Sequence, residues 1–211
     1  MLLAAVSMGS VSAYEVVSGK RWHHMSFVNG TWRCNLVLNT TQLSGLWAQE
    51  VDRAISNWNN YSDGKMHLFR SSNPYGGTVR LKNISKSSWK YSVSAAAITQ
   101  WVDKDGRTYM GLTGENATYG FGDRIDSANI YFNDGYRSGL SGGQYGSDYL
   151  VVAQRNRAKT ITHELGHCVN LGHNQAQSVM NTGWDKSWAN YDRPTAYDRA
   201  DLKNYYSKSY K

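Results

Sequence analysis

The chain has 211 residues, a net charge of +7, and 8 Trp, 15 Tyr and 4 Phe among its side chains. This length fits one domain with a full hydrophobic core, and an apolar fraction of 40% excludes a disordered chain. No apolar run is long enough to span a bilayer, so we expect a protein that is not membrane-spanning. The 23 Lys and Arg residues are scattered rather than clustered, which predicts no nucleic-acid partner and favours an anionic surrounding such as a cell wall or extracellular matrix.

Residues 1–13 (MLLAAVSMGSVSA) resemble the end of a secretory signal peptide. A short apolar run from Leu2 to Met8 precedes Val11-Ser12-Ala13, a small-residue pattern typical of a cleavage site. The usual basic start is missing, so we interpret the segment as a truncated signal remnant before a single domain over 14–211. We therefore expect a secreted, extracellular protein, with an ordinary first strand or frayed terminus as the alternative.

Hydrophobic periodicity predicts an α/β or α+β domain with a mixed sheet. Five segments rich in β-formers predict strands: 31–38, 66–70, 78–83, 95–102 and 127–132. Three segments with helical spacing predict helices: 42–61, about 148–169 and 195–206. A glycine-rich loop is expected at 139–146, before the second of these helices. Thr41 or Ser44 is the expected N-cap of the first helix, and Thr195-x-x-Asp198 resembles a capping box. The order β-α-β-β-β-β-α-loop-α predicts stacked layers in one domain.

The most informative stretch is 163–173, which reads HELGHCVNLGH. His163 and His167 lie four residues apart, so on a helix they share one face and suit two imidazole ligands to one metal. Glu164 is rotated by about 100° from His163 and is placed to take a proton from a metal-bound water. His173 lies too far along to share that face, so the chain has to turn sharply after His167.

Asn170 is the expected pivot of that turn, because Asn adopts the left-handed backbone that ends a helix more readily than any residue except Gly. Gly172 then permits a close approach to the site. Three neutral imidazoles and one water form a four-coordinate zinc site with an open position, which is the catalytic arrangement.

The sequence HELGHCVNLGH resembles the H-E-x-x-H-x-x-G-x-x-H signature of the metzincin zinc endopeptidases, and within them the matrixin-like branch. Asn170 stands where the family has Gly. Ser178-Val179-Met180 resembles the matrixin Met-turn, which implies that Met180 lies beneath the metal as a hydrophobic floor. The Tyr-Pro that often follows this turn is absent from the chain, where Asn181-Thr182 follows instead.

The resemblance implies a metzincin-like fold with a twisted five-stranded mixed sheet, an active-site helix and a C-terminal helix. It places Ala95, Ala96, Ala97 and Ile98 in an edge strand that binds extended peptide by β-pairing. It implies a secreted, monomeric zinc metalloprotease that hydrolyses polypeptides, with Glu164 as the general base and His163, His167 and His173 as the zinc ligands.

Two other functions remain open at this point. One is a catalytically silent metzincin-like module that binds a cell-wall polymer or a protein partner through its basic and aromatic surface. The intact Glu164 argues against it, because loss of the general base is expected in a silent relative. The other is a zinc hydrolase that acts on something other than peptides.

A calcium site and a disulfide are also open. Asp103-Lys104-Asp105-Gly106 and Asn133-Asp134 offer oxygen ligands on turns, so Ca²⁺ could bind there, with ordinary turn chemistry as the alternative. Cys34 and Cys168 are the two cysteines of the chain. In an exported protein they form either a disulfide or two buried thiols.

Overall fold

The computed structural model describes residues 21–91, 95–110, 124–134, 149–173, 177–181 and 192–206. Its strands are β1 (Arg21–Trp22), β2 (Met25–Val28), β3 (Thr31–Gln42), β4 (Met66–Arg70), β5 (Val79–Ile84), β6 (Ala97–Val102), β7 (Thr108–Met110), β8 (Arg124–Ile125) and β9 (Ser127–Asn133). Its helices are α1 (Gly45–Gln49), α2 (Val51–Tyr61), α3 (Tyr149–Cys168) and α4 (Ala196–Tyr206), with a 3-10 turn at Lys86–Ser88. The predicted signal remnant at 1–13 and the glycine-rich loop at 139–146 lie outside the described residues.

A curled, mixed sheet forms the centre of the fold, which confirms the predicted α/β class. Its strand order is β2-β3-β5-β9-β6-β7, and β4 pairs with β3 off this path. Three strand pairs are parallel: β3 with β4, β3 with β5, and β5 with β9. Three are antiparallel: β2 with β3, β6 with β7, and β6 with β9. A separate two-stranded parallel sheet joins β1 to β8.

The prediction of five strands in the sheet was wrong, because the sheet has seven strands within the described residues alone. The two additional strands are β2, with 4 residues, and β7, with 3 residues. Each forms a hairpin with the longer strand next to it in the chain. The two-residue turn Asn29-Gly30, with φ 50° and 75°, joins β2 to β3, and residues 103–107 join β6 to β7. The Asn-Gly pair was thus a usable sequence signal for β2.

The predicted edge strand at Ala95–Ile98 also requires correction. Strand β6 begins at Ala97, so Ala95 and Ala96 precede it. Strand β7 pairs with β6 at Gln100, Trp101 and Val102, so this half of β6 is covered. The half from Ala97 to Thr99 pairs with β9, and no second strand pairs with it among the residues that the structure describes.

One hydrophobic core lies between the sheet and the helices. Alternate residues of β3 point into it, and these are Cys34, Leu36 and Leu38. Helix α2 contributes Val51, Ala54 and Trp58, and α3 contributes Ile161, Leu165 and Cys168, all of which are buried. Because α3 packs against both α2 and β6, the helix that carries the histidines is fixed on two sides.

The predicted helix 42–61 is divided into α1 and α2 at Glu50, whose backbone (φ −100°, ψ 0°) leaves the helical region. Ser44 precedes α1 as its N-cap residue but makes no side-chain capping bond. Within the described part of the chain, no helix combines the length and the apolar character needed to cross a membrane.

Cys34 and Cys168 are two buried, unpaired thiols in the structure, which is the second of the two alternatives drawn from the sequence. Burial raises the pKa of both thiols far above the usual range for cysteine. Both side chains therefore stay protonated and pack as small apolar residues in the core.

The carboxylate of Asp201 on α4 gives a prediction about stability. Burial, followed by the charge of Asp198, raises the pKa of Asp201 to about 6. This exceeds the unfolded value of about 4, so the contribution of Asp201 to stability is full below about pH 4 and is lost as the pH rises through 6. We expect Asp201→Asn to increase the free energy of unfolding at pH 8 by about 1 kcal/mol, after solvent screening of a half-exposed group.

Denaturant unfolding of both proteins at pH 4 and pH 8 tests this prediction. The difference between wild type and Asp201→Asn should be close to zero at pH 4. An equal difference at the two pH values would show that the charge of Asp201 is not responsible.

Candidate metal centre

Three histidines meet at the end of α3. His163 and His167 project from adjacent turns of the helix and are each 7% exposed. Nε2 of His173 lies 3.0 Å from Nε2 of His167 and 3.2 Å from Nε2 of His163. Candidate ligand atoms of all three residues lie within 4.8 Å of one another. The structure thus brings together the three predicted ligands.

Backbone carbonyl groups fix the tautomers of two of these histidines. Nδ1 of His163 lies 2.7 Å from the carbonyl oxygen of Val179, and Nδ1 of His167 lies 2.7 Å from that of Leu171. A carbonyl oxygen only accepts, so each Nδ1 carries the hydrogen. In the neutral ring Nε2 then presents its lone pair to the point where the three rings meet.

The two imidazoles on α3 are uncharged at neutral pH. Burial, together with the neighbouring His173, lowers the pKa of His163 to about 3, against the opposing hydrogen bond to Val179. Burial also lowers the pKa of His167 well below its usual value, with further contributions from His163 and His173. Neutral imidazole is the form that binds a metal ion.

The turn after α3 is a Schellman motif centred on Asn170. The N–H of Leu171 bonds to the carbonyl of Gly166 at 3.1 Å, and the N–H of Asn170 bonds to the carbonyl of His167 at 2.8 Å. Asn170 has φ 66°, which confirms the predicted left-handed backbone. Gly172 is buried and directly precedes His173. The motif turns the chain back, so that His173 reaches the other two rings.

A second turn, at Ser178–Met180, contacts His163 and is held in place by α4. The carboxylate of Asp198, fully buried, accepts hydrogen bonds from the Ser178 hydroxyl and from the Val179 N–H at 3.2 Å. It also accepts the N–H of Thr195 at 2.7 Å, which confirms the predicted capping contact at the start of α4. Val179 is thus fixed at its N–H, while its carbonyl oxygen contacts His163.

Met180, 1% exposed, packs against the helix that carries the ligands. A Cβ atom added to Gly166 would lie 2.5 Å from Sδ of Met180 and 3.1 Å from Cζ2 of Trp58. Only Gly therefore fits at position 166 without displacing a neighbour. The indole of Trp58 also donates to the carbonyl of Thr162 at 2.8 Å, and this bond fixes the indole beside Gly166.

Glu164 is 6% exposed and contacts the sheet through Thr99 of β6. The Thr99 hydroxyl lies 2.6 Å from Oε2 of Glu164 and 3.1 Å from its backbone carbonyl. Burial raises the pKa of Glu164 to about 7, against the opposing hydrogen bond from Thr99. Trp101, two residues along β6, donates to the carbonyl of His167 at 2.8 Å. Strand β6 therefore fixes both Glu164 and His167.

The donor set fits a transition-metal ion. Three imidazoles with converging Nε2 atoms suit zinc, copper, iron or nickel rather than calcium or magnesium, which prefer oxygen ligands. The predicted calcium turns use their oxygens internally, since Asp103 accepts the N–H groups of Asp105 and Arg107, and Asp134 accepts the amide of Asn83. Among the described residues, the three histidines are the group of His, Cys, Asp or Glu side chains that could hold a metal.

Comparison with known proteins gives no assignment for this chain. No protein-family model matches it, and no curated protein matches it significantly.

Several residues that support the site were not identified from the sequence. Asp198 was recognised only as a helix cap, and Gly166 had no assigned role. Thr99 was not considered, although it lies beside the predicted edge segment. The sequence contained one usable signal for Gly166, which is that this glycine lies inside a segment predicted to be helical.

Gly166→Ala tests the packing of Met180. The added methyl group would displace the Met180 thioether, so we expect a loss of about 1–3 kcal/mol in the free energy of unfolding, despite the better helix propensity of Ala. The double variant Gly166→Ala/Met180→Ala provides the control, because it removes the colliding atoms. Its loss should be smaller than the sum of the two single losses. Additive losses in denaturant unfolding would argue against this packing.

Asp198→Asn tests the carboxylate that joins α4 to the turn below the site. The amide nitrogen of Asn cannot accept the hydrogen bonds from Val179 and Thr195, so buried donors lose their partner. We expect a loss of about 2–4 kcal/mol in stability at pH 8. Asp201→Asn, the same change one turn further along α4, is the matched control and should not destabilise. Similar unfolding curves for the two variants would contradict this role of Asp198.

Proposed function

We propose that this protein is a zinc-dependent endopeptidase of the metzincin type. The observation that carries the proposal is the convergence of three imidazoles, with Nε2 of His173 at 3.0 and 3.2 Å from those of His167 and His163. Three protein ligands leave a fourth position for water or substrate, which is typical of catalytic rather than structural zinc. Glu164 follows the first ligand directly on the same helix, which supports hydrolysis rather than passive metal storage.

The proposed reaction is hydrolysis of a peptide bond. A zinc ion held by His163, His167 and His173 would supply Lewis-acid activation of water and of the scissile carbonyl. The carboxylate of Glu164 takes a proton from the attacking water and then passes it to the leaving amine nitrogen. Thr99 orients this carboxylate through its hydrogen bond to Oε2. The Nδ1 bonds of His163 and His167 hold the ligand rings in place while the proton moves.

The pairing of β6 from Ala97 to Thr99 supports the proposal that the substrate is a polypeptide. This half of β6 pairs with β9 on one side only, within the part of the sheet that is described. An extended peptide that added to this half would lie beside Thr99, whose side chain contacts Glu164. The predicted signal remnant supports secretion, where the basic surface would meet anionic wall or matrix polymers.

The test is hydrolysis of casein by the zinc-loaded full chain. We expect cleavage by the wild type, loss of cleavage with a zinc chelator, and recovery when zinc is added back. Glu164→Gln should reduce the cleavage rate by at least about 100-fold and retain one zinc per chain, because Glu164 moves the proton and does not bind the metal.

Glu50→Gln is the matched control. It makes the same chemical change at another buried glutamate, which lies between α1 and α2 and belongs to no part of the site. It should cleave casein at the wild-type rate. A folded wild type that binds one zinc but cleaves nothing would contradict the proposal and favour the silent binding module.

A further inference from the structure

The last turn of α4 contacts the turn between His167 and His173. The amide Nδ2 of Asn170 donates to the hydroxyl oxygen of Tyr205 at 2.7 Å. The hydroxyl of the adjacent Tyr206 donates to the carbonyl of Val169 at 2.8 Å. Two consecutive tyrosines, more than thirty residues away in the chain, thus bind two consecutive residues of this turn.

Asn170 needs such support because of its backbone. Its φ of 66° lies in the left-handed region, which costs a non-glycine residue about 1 kcal/mol. Asn170 makes its side-chain bond to Tyr205 while its backbone is left-handed, so the bond favours this backbone conformation over the others. Arg21 lies over the Tyr205 ring, with its guanidinium carbon 5.5 Å from the ring centre. The hydroxyl that accepts from Asn170 is therefore itself held in place.

The turn controls two parts of the metal centre. The residue after Asn170 is Leu171, whose carbonyl fixes Nδ1 of His167 at 2.7 Å. Two residues further is His173, the third ligand. A change in the backbone of Asn170 would move both groups, because neither is more than three residues from it.

We propose that Tyr205 is a positioning residue for the metal centre, which acts through Asn170 on His173 and on the Leu171 carbonyl. This inference rests on the metal site of the proposed function and does not depend on peptide cleavage. It also gives a physical role to asparagine at 170, where glycine would satisfy the backbone but lack the amide that donates to Tyr205.

A double-mutant cycle on the full chain measures this coupling. Zinc affinity is determined by competition with a chelating indicator for wild type, Tyr205→Phe, Asn170→Gly and the double variant. We expect Tyr205→Phe to weaken zinc binding about tenfold, as is common for groups that orient ligands. In the Asn170→Gly background the same change should have less than about a twofold effect, because the amide that it contacts is gone.

Tyr197→Phe is the matched control, since Tyr197 is an exposed tyrosine on the same helix. Its zinc affinity should equal that of wild type. Cobalt substitution adds a readout that reports ligand geometry rather than stability. The visible bands of bound Co²⁺ should change in Tyr205→Phe and stay unchanged in Tyr197→Phe, while circular dichroism of the metal-free proteins remains the same.

The outcomes separate this inference from the proposed function. Equal losses of affinity for Tyr205→Phe in both backgrounds, or an unchanged cobalt spectrum, would overturn the role of Tyr205 and leave the zinc site intact. A folded wild type that binds neither zinc nor cobalt would overturn the proposed function, and the role of Tyr205 with it. Coupling without casein cleavage would support the inference and contradict only the peptidase activity.

Discussion

The site depends on keeping three imidazoles aimed at one point, two of which, His163 and His167, are buried and uncharged. Rings with Nε2 atoms only about 3 Å apart would repel strongly if they were protonated, and burial already opposes their charge. A neutral ring still needs an acceptor for its N–H, because an unpaired buried donor costs about 1–3 kcal/mol. The carbonyls of Val179 and Leu171 accept these hydrogens. The site therefore requires two correctly placed turns as much as it requires three histidines.

Helix α4 holds both turns, although it contributes no ligand. Near its start, Asp198 binds the Ser178–Met180 turn, and at its end Tyr205 and Tyr206 bind the turn around Asn170. A carboxylate without exposure to water is stable only where several donors surround it. Asp198 meets this condition with donors from Ser178, Val179 and Thr195. Because the buried carboxylate needs these donors, it holds Ser178 and Val179 in one position, and the carbonyl of Val179 then orients His163.

The parts of this structure that the sequence predicted are those set by local patterns. Strand β4 was predicted at its observed bounds, and α3 and α4 within one residue, because periodicity and capping act over a few neighbours. The left-handed turn at Asn170 followed from the spacing of the histidines. By contrast, the contact from Thr99 to Glu164 and the contact from Asp198 to Val179 depend on packing across the fold. The sequence offers no local signal for contacts that join residues 19 or 65 positions apart.

Asn170 stands where the metzincin signature that the sequence resembles has Gly. Glycine would adopt φ 66° without strain, whereas asparagine accepts a cost that its short polar side chain can offset. The hydrogen bond to Tyr205 supplies that offset and also joins the turn to α4. The left-handed backbone at Asn170 brings His173 to the rings of His163 and His167, and the bond to Tyr205 supports that backbone. Asparagine at 170 is thus compatible with the proposed metzincin relationship.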